Sequence, residues 1–402
     1  MHKKVDKFVQ LKSCLGCGLC LKKESDYGMI MGNNGYLRPS PNAIIDENFE
    51  KYCPAIKISQ SKKKHGLEYI YGPVVAPVVA GWSTNKELRF KASSGGVITQ
   101  LLIALLRYGM IDAVLHVRQD DNNPIRSIAC LSKTEEDIAE ATGSRYAPCS
   151  LFENFAQILS LNIRIAVVGK PCDIAALKQY MKLYPNETKN IKYTFSMMCM
   201  GLPSHNATIE LVKKMNVEPS MVANLRYRGY GWPGYATVTD MNGKVNKCTY
   251  IQSWGAVLGR HTLFRCKLCP NGFGEFADIT CGDAWHCYKG EPSFNNAESG
   301  RSFIFIRSEK GKHLVDRAIK EGLLKVEPYD LNKMPLIQKS QYQRKVNLLG
   351  RYIIFKLFVN HYFSIKGFNL FKLAYISGFM NLCKDSRGFL GRYWRDYKEH
   401  KK

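Results

Sequence analysis

The fold class of this chain is decided by ten residues, IRIAVVGKPC, Ile163 to Cys172. The apolar run Ile163–Val168 has the length of a buried strand, and a helical pattern follows it over Asp173–Leu183. A second strand is predicted over Lys192–Met198, and it is again followed by a helix. Because strands separated by helices of this length pair in parallel, the sequence predicts an α/β fold.

Three sections are expected along the 402 residues. Residues 1–58 carry many turns and little helical pattern, so we predict a small loop-built module there. Residues 67–335 hold the predicted α/β domain, which includes a hairpin whose turn is Asn242-Gly243. Residues 336–402 are basic and aromatic with helical periodicity in parts, and the polar run at residues 59–66 reads as a linker.

Composition limits where the protein works. Residues 1–7 contain no apolar stretch that would serve as a signal peptide. No window has the roughly eighteen uncharged apolar residues that a transmembrane helix needs. We therefore expect a cytoplasmic protein without a transmembrane helix, in which the fourteen cysteines are thiols or metal ligands rather than disulfides.

The net charge of +24 favours acidic partners, and much of it lies near the end of the chain. Fourteen Lys and Arg against three Asp and Glu fall within residues 339–402, among many aromatic residues. Such a section can pack on the rest of the protein with its charges in water, lie on an anionic membrane surface, or contact nucleic acid. We favour packing, with a peripheral membrane role second, and do not expect nucleic acid to be the partner.

The pattern Cys14-x-x-Cys17-x-x-Cys20, with the later pair Cys53-Pro54, predicts an iron–sulfur cluster. Thiolates at i, i+3 and i+6 in a glycine-containing loop occupy three corners of one cube, and a fourth arrives from elsewhere. Zinc sites more often pair two separated CxxC or CxxH units. Since Cys20 is not followed by the nearby Cys-Pro of two-cluster ferredoxins, we predict one 4Fe–4S cluster bound by Cys14, Cys17, Cys20 and Cys53.

Two further cysteines, Cys172 and Cys199, each follow a predicted parallel strand and precede a helix. The carboxyl ends of such strands face the ligand crevice, and helix N-termini stabilise thiolates. The CxxC pair Cys266 and Cys269 supplies two more ligands, so these four cysteines are candidates for a second cluster. The alternative is two buried thiols and a separate CxxC in a turn, since buried free cysteine is common.

Two hydroxyl-bearing turns are candidates for phosphate binding. The first, SSGG at residues 93–96, precedes a helix through Leu106, so hydroxyls and exposed N–H groups face an anion. The second, GSRY at residues 143–146, adds an arginine and an aromatic ring. A serine N-cap and a plain surface loop are the ordinary alternatives. We find no GxGxxG fingerprint and no convincing acid–base pair; His205, Lys170 and Asp283 are candidates without support.

Taken in order, the motifs resemble the coenzyme F420 hydrogenase/dehydrogenase beta-subunit family: CxxCxxC…CP, SSGG, GSRY, GKPC, CMGLPS, RYRGYGWPG, CKLCP and GDAW. The resemblance runs from about Cys14 to Arg307 and implies a flavoprotein with iron–sulfur clusters. The flavin contacts that it implies for FAD are Ser93, Ser94, Gly95, Gly96, Gly143, Ser144, Arg145 and Tyr146, with Lys170 of the GKPC motif. It also supports Cys172, Cys266 and Cys269 as ligands of a second cluster, because chlorophyll-reductase relatives carry two.

We therefore expect an FAD- and 4Fe–4S-dependent oxidoreductase whose N-terminal cube is the port to a ferredoxin-like protein. Reduced deazaflavin or nicotinamide is the other expected carrier, and the substrate is unidentified. Bacterial relatives that resemble this chain often stand beside polysaccharide-synthesis genes, which suggests cell-surface polysaccharide metabolism. A non-catalytic electron-transfer or docking subunit is the first alternative, and a nucleic-acid-binding protein with a structural cluster is the second.

Overall fold

A computed structural model describes residues 13–22, 25–61, 64–289, 291–294, 299–358 and 363–399. The segment in which we expected no signal peptide, residues 1–7, lies outside the described residues, as do residues 62 and 63 of the expected linker. Residues 359–362 and 400–402 of the basic section lie outside them as well. Within the described chain no helix combines the length and the apolar character that crossing a bilayer requires.

The centre of the structure is an eight-stranded sheet. Its strands, in chain order, are β1 (Val79–Ser83), β2 (Ala113–Gln119), β3 (Ser127–Ser132), β4 (Ile165–Gly169), β5 (Ile191–Met197), β6 (Ile279–Asp283), β7 (Ser302–Ile306) and β8 (Leu324–Pro328). They lie side by side in the order β8-β1-β7-β6-β5-β4-β2-β3.

The middle of the sheet is parallel, and its edges are antiparallel. Strands β6, β5, β4 and β2 form three parallel pairs. Strand β3 pairs antiparallel with β2, and β7, β1 and β8 extend the other side antiparallel. The α/β class is confirmed, although the sheet is mixed. The short β2–β3 connection contains no crossover helix, so these two strands pair antiparallel.

Helices cover the sheet and continue beyond it. They are α1 (Lys86–Lys91), α2 (Val97–Arg107), α3 (Glu135–Glu140), α4 (Phe155–Ser160), α5 (Pro171–Leu183), α6 (His205–Lys214), α7 (Glu309–Lys320), α8 (Met334–Ile337), α9 (Lys339–Val346), α10 (Leu348–Phe358), α11 (Leu370–Ser377) and α12 (Phe379–Glu399). Two shorter helical turns span Phe49–Tyr52 and Glu68–Tyr71.

Alternate strand residues feed two separate cores, one on each face of the sheet. On β4, Ala166 joins the core made with α2 and α7, whereas Ile165 and Val167 join the core made with α5. Both faces are therefore buried, which explains why the strands read as continuous apolar runs rather than as alternating ones.

Smaller sheets stand outside this centre. Strands Met29–Met31 and Leu37–Pro39 form a hairpin in the N-terminal section. The predicted hairpin around Asn242-Gly243 forms from Ala236–Asp240 and Val245–Cys248. Its second strand ends earlier than we expected, because Ile251–Leu258 is helical instead.

The first and last sections of the chain are joined to each other and to the centre. Strand Lys57–Ser59 pairs in parallel with Ser364–Lys366. One hydrophobic core combines Ile58 with Phe355, Phe363 and Phe389 of the last section, and Ala175 of α5 belongs to it as well. Part of the basic, aromatic section therefore packs on the remainder of the protein.

Candidate metal centre and cofactor cavity

The loop of Cys14, Cys17 and Cys20 is held in shape by two glycines with left-handed backbone. Gly16 has φ +71° and Gly18 has φ +79°, a conformation that glycine adopts without steric cost. A Cβ on Gly18 would lie 2.9 Å from the backbone nitrogen of Glu153. The loop is thus pressed against the main domain, and only glycine fits at this position.

The four predicted ligands of the first cluster converge. The thiols of Cys14, Cys17 and Cys53 are all close enough to Cys20 to interact with it electrostatically. Burial raises the pKa of the Cys53 thiol to about 12 and also raises the pKa values of Cys17 and Cys20. A thiolate in these surroundings needs a compensating positive charge, which bound iron supplies.

Backbone N–H groups face sulfurs of this set, and that of Gly16 donates to the sulfur of Cys14 at 3.4 Å. That of Leu19 points to the sulfur of Cys17, and those of Ala55 and Ile56 point to the sulfur of Cys53. Hydrogen bonds to sulfur stabilise the charged form of a thiol, and they are one means by which proteins tune iron–sulfur clusters. The donor set and its surroundings fit a cube bound by the four cysteines, here called the first cysteine set (Cys14, Cys17, Cys20, Cys53).

The second cysteine set, Cys172, Cys199, Cys266 and Cys269, also comes together. Cys172 is in the first turn of α5, directly after β4, and Cys199 follows β5, the neighbouring parallel strand. Cys266 and Cys269 lie in and directly after a short 3₁₀ helix, Phe264–Leu268. All four line one small pocket.

The cysteines of the second cysteine set are half-buried. Burial raises the pKa of Cys199 to about 12, and it raises the pKa values of Cys172 and Cys266 as well. Within the described parts of the chain, no group of three or more His, Cys, Asp or Glu is placed to hold a single metal ion. A cube binds its four thiolates through four different irons, so its ligands stand farther apart than those of one ion. The arrangement fits a cube.

The two sets are adjacent. The pocket of the second set is also lined by Leu15, the neighbour of Cys14, and by Pro54, the neighbour of Cys53. Leu15 belongs to a small hydrophobic cluster against which Cys172 and Cys266 pack. The two cysteine sets are therefore separated by little more than Leu15 and Pro54.

Basic side chains that the sequence did not single out surround the second set. Arg344 of α9 donates hydrogen bonds to the carbonyl oxygens of Met200 at 2.5 Å and Cys199 at 2.6 Å. Lys345 donates to the carbonyl of Pro270 at 2.5 Å. These residues lie more than seventy positions from the nearest cysteine of the set, and no local motif marks them.

Lys345 also belongs to a buried ion triad. Glu275 binds the Lys64 ammonium at 2.8 Å through one carboxylate oxygen and the Lys345 ammonium through the other. Burial opposes ionisation of Glu275, but the two lysines outweigh it and hold its pKa below the usual value. The triad ties residue 64 and helix α9 to the segment that follows Cys269.

The two predicted flavin-binding turns contact each other. The backbone N–H of Ser144 donates to the Ser93 hydroxyl at 2.7 Å. Gly96, with φ +72°, is the residue before α2. Ser94 and Gly95 are instead engaged by β7 and the residue before it, because the Ser94 hydroxyl donates to the Arg301 carbonyl at 2.8 Å.

A cavity of about 620 Å³ opens beside the second turn. It is lined by Gly143, Ser144 and Arg145 together with Arg118 and Arg226, among others. Its size falls in the range of small-molecule and cofactor sites. Residues 143–145 therefore border a space in which a flavin or another anionic ligand has room.

The Arg145 guanidinium is hydrogen-bonded to backbone carbonyl oxygens of the protein. It donates to the carbonyl oxygens of Leu225 at 2.6 Å, Arg126 at 2.7 Å and Pro124 at 3.0 Å. Arg226 ends the strand Val222–Arg226, which pairs antiparallel with Ala236–Asp240, and it has a buried Nε without a hydrogen-bond partner among the described residues. An unpaired buried donor is costly, so Arg226 is the better candidate to meet an anion in this cavity.

Two other predicted contacts lie apart from the cavity lining. The Tyr146 ring packs against Tyr227 and Trp254, with centroid distances of 5.6 and 4.8 Å. The Lys170 ammonium binds Asp173 at 2.7 Å and interacts electrostatically with Cys172. Lys170 is thus a neighbour of the second cysteine set.

Of the acid–base candidates, Asp283 is occupied by structural contacts. Asp283 accepts two hydrogen bonds from Arg228, at 2.8 and 2.9 Å, and a third from the Trp232 indole at 3.1 Å. Burial lowers the pKa of His205, whose backbone N–H donates to Gly35. Proton transfer at Asp283 would therefore have to break its pair with Arg228.

Comparisons with known proteins point to one family. Residues 78–155 match the family model described as "Coenzyme F420 hydrogenase/dehydrogenase, beta subunit N-term". Residues 163–332 match the companion model, which describes the carboxyl-terminal part of the same beta subunit. The chain is 24% identical over 280 residues to the coenzyme F420 hydrogenase subunit beta of Methanococcus voltae, covering 66% of this chain and 90% of that one.

Two more relatives extend the comparison. The F420-dependent formate dehydrogenase subunit beta of Methanocaldococcus jannaschii is 26% identical over 268 residues, 66% of this chain and 63% of its own length. The coenzyme F420-dependent sulfite reductase of the same organism is 23% identical over 385 residues, 85% of this chain and 52% of its own.

One solved structure shares the fold. It belongs to the F420-reducing [NiFe] hydrogenase complex from Methanosarcina barkeri, with a TM-score of 0.53 and 23% identity over 69% of this chain and 92% of that one. The two family models together span the central sheet and most of the pocket of the second cysteine set. The chain belongs to the coenzyme F420 hydrogenase/dehydrogenase beta-subunit family.

Proposed function

We propose that this chain is a redox subunit that binds two 4Fe–4S clusters and FAD and passes electrons between a carrier and a substrate. The observation that carries the proposal is the second cysteine set: four cysteines from three separate segments line one small pocket beside the first set. Chance does not commonly collect four thiols in this way, and cytoplasmic thiols held together are ligands or redox groups.

The parts of the site have different tasks in this proposal. A bound flavin exchanges electron pairs as hydride and single electrons with a cluster. The residues around the 620 Å³ cavity bind and orient it, with the Arg226 guanidinium and the Gly143 N–H as candidate phosphate donors. In this proposal the two adjacent cysteine sets carry single electrons between the flavin and the N-terminal loop.

The N-terminal loop is the proposed port for a ferredoxin-like protein. A groove of about 610 Å³ adjoins it and is lined by Leu19 and Leu21 on one side and Tyr180 on another. The other carrier is proposed to be reduced deazaflavin, since the named relatives act with coenzyme F420, or a nicotinamide. The protein is proposed to work in the cytoplasm. Its substrate is proposed to be a compound of cell-surface polysaccharide metabolism.

A subunit without a substrate of its own is the second candidate. The solved structural relative comes from a hydrogenase complex rather than from an enzyme that stands alone. In the present chain the acid–base candidate Asp283 is fully engaged by Arg228 and Trp232. Copurification with a partner protein after crosslinking, and turnover only in its presence, would favour this candidate.

Peripheral membrane contact is proposed for one face of the basic section. Phe371, Tyr375, Phe379 and Met380 are between 80% and 86% exposed, and Lys372 beside them is exposed too. Aromatic side chains with nearby cations suit an anionic bilayer surface. Cosedimentation with phosphatidylserine vesicles, and none with phosphatidylcholine vesicles, is the expected result; equal recovery with both would contradict it.

Binding to RNA that disappears with salt would instead support the remote nucleic-acid alternative.

The flavin is tested on protein purified and reconstituted without oxygen. We expect about one FAD per chain after acid release, with an absorbance that reduced deazaflavin bleaches, since a flavin accepts the hydride. Absence of any flavin after reconstitution, with both clusters present, would exclude the enzyme and leave the electron-transfer subunit.

A further inference from the structure

We propose that Arg265 is a cation shared by both iron–sulfur sites, so that its charge sets the reduction potential of each. The inference rests on the proposed function, because it requires a cluster in both cysteine sets. It concerns a residue that precedes Cys266 in sequence and that none of the motifs marks.

Contacts hold Arg265 between the two sets. Its Nη2 donates to the carbonyl of Pro54 at 3.0 Å, next to Cys53 of the first set. Its guanidinium lies over the Phe363 ring, with Cζ 3.5 Å from the centroid, so the side chain has little freedom to turn away. Arg265 also lines the pocket of the second set.

The charge of Arg265 reaches cysteines on both sides. The thiols that interact with it electrostatically are Cys53 of the first set and Cys172, Cys266 and Cys269 of the second. Among the residues that surround the two sets, Arg344 offers a useful contrast: its bonds go to the carbonyls of Met200, Cys199 and Cys266, all on the second side.

One atom of Arg265 points to a missing partner. The residue is 4% exposed, and its Nε is buried without a hydrogen-bond partner among the described residues. A buried N–H without an acceptor is destabilising, and a guanidinium is most stable beside an anion. A cube with four thiolates is an anion, and the Nε–H group is available to it.

The consequence is electrostatic. Adding an electron makes a cluster more negative, so a buried cation nearby favours the reduced form and raises the potential. A cation between two clusters raises both potentials together. It therefore lowers the cost of receiving an electron at either set while leaving the difference between the sets nearly unchanged.

The test is an anaerobic redox titration of the reconstituted full chain, followed by electron paramagnetic resonance. In Arg265→Gln we expect the equilibrium constant for reduction to fall about tenfold at each cluster, which is about 59 mV for a one-electron couple. Arg265→Lys keeps the charge and is expected to leave both constants within about threefold of the wild type. The two signals are assigned with C20S and C269S, each lacking one ligand.

Arg344→Gln is the matched control. It removes one positive charge at the second set only, so we expect only that potential to fall. A shift of one potential alone in R265Q, or equal shifts in R265Q and R265K, would overturn the shared role. If R265Q binds no clusters, R265K decides between the two explanations. Recovery of both clusters in R265K supports the role of the positive charge, and recovery of neither cluster shows that Arg265 is needed for folding.

Failure of the proposed function gives a different result. A wild-type protein that lacks one of the clusters contradicts both proposals. Two wild-type clusters whose potentials do not move in R265Q contradict the role of Arg265 alone.

Discussion

Substitution of Gly18 by alanine tests whether the N-terminal loop is a cluster site pressed against the main domain. Gly18 stands between Cys17 and Cys20 with φ +79°. A Cβ there would lie 2.9 Å from the nitrogen and 3.1 Å from the Cα of Glu153. Both are backbone atoms, so neither can turn aside, and the loop must move away from the segment 150–153.

The magnitude follows from two separate costs. A left-handed conformation costs an alanine about 1–2 kcal/mol. Forcing a methyl group into a filled space costs about 1–3 kcal/mol more. The sum is about 2–5 kcal/mol. The contacts that a displaced loop would lose include the Phe152 N–H bond to the Cys17 carbonyl at 2.9 Å.

Gly243 supplies the control. It has the same φ, +79°, but no atom lies within 4 Å of the position its Cβ would take. Gly243→Ala should therefore cost only the conformational term, about 1–2 kcal/mol. The assay is the free energy of unfolding from urea titrations, with iron content measured on the same samples.

Gly18→Ala is expected to lose more stability than Gly243→Ala and to retain about four irons of about eight, since only the first cluster is disturbed. Equal losses of stability in the two variants, or full iron content in Gly18→Ala, would refute the close packing of the loop against the main domain.

Three further predictions concern buried charge. Glu275→Gln leaves two buried lysines without a counter-charge, so we expect a loss of about 3–5 kcal/mol in urea unfolding, and a loss below about 1 kcal/mol would contradict the triad. Burial lowers the pKa of His116 from 6.5 to about 4 in the folded protein. As the pH falls, the unfolded chain therefore binds the proton first, so the free energy of unfolding should drop by about 2 kcal/mol between pH 7 and pH 5. The variant His116→Gln should not show this drop. Arg226→Gln should weaken FAD binding about tenfold or more, as measured by flavin fluorescence. Arg118 pairs with an exposed aspartate, so Arg118→Gln should change FAD binding little. Equal effects of the two substitutions would argue against Arg226 as the anion-binding residue.

Much of the fold was predictable because it depends on local pattern. The run Ile163–Val168 and the helix after it set the parallel centre, and the Asn242-Gly243 turn set a hairpin. The antiparallel edges were not predictable, because pairing of β7 with β6 and β1 depends on a chain reversal that periodicity does not show.

The cysteines of the site could be predicted from the sequence, but the cations beside them could not. The first set follows from spacing, and the second from strand ends and a CxxC pair, so their convergence could be predicted. Arg265, Arg344 and Lys345 could not, because a lysine or arginine in a basic chain reads as solvated charge until its burial is known. The positions of Arg344 and Lys345 depend on how α9 packs on the central domain, and that of Arg265 depends on how the short helix Phe264–Leu268 meets the N-terminal section; no local motif encodes either.

The contacts of individual residues with FAD stay a prediction. The meeting of Ser93 with Ser144 is observed, and residues 143–145 border the large cavity. Lys170 lies beside Cys172 instead, because the turn after β4 points it at Asp173 within the first turn of α5. A single motif such as GKPC gives the strand end but not the direction of each side chain.

The proposed electron route depends on a cube in each of the two cysteine sets. Iron and acid-labile sulfide, counted per chain after anaerobic reconstitution, decide whether both cubes exist when the wild type is compared with C20S and C269S. We expect about eight irons in the wild type and about four in each variant. About four irons in the wild type, with no further loss in C269S, would show that the second set holds no cluster.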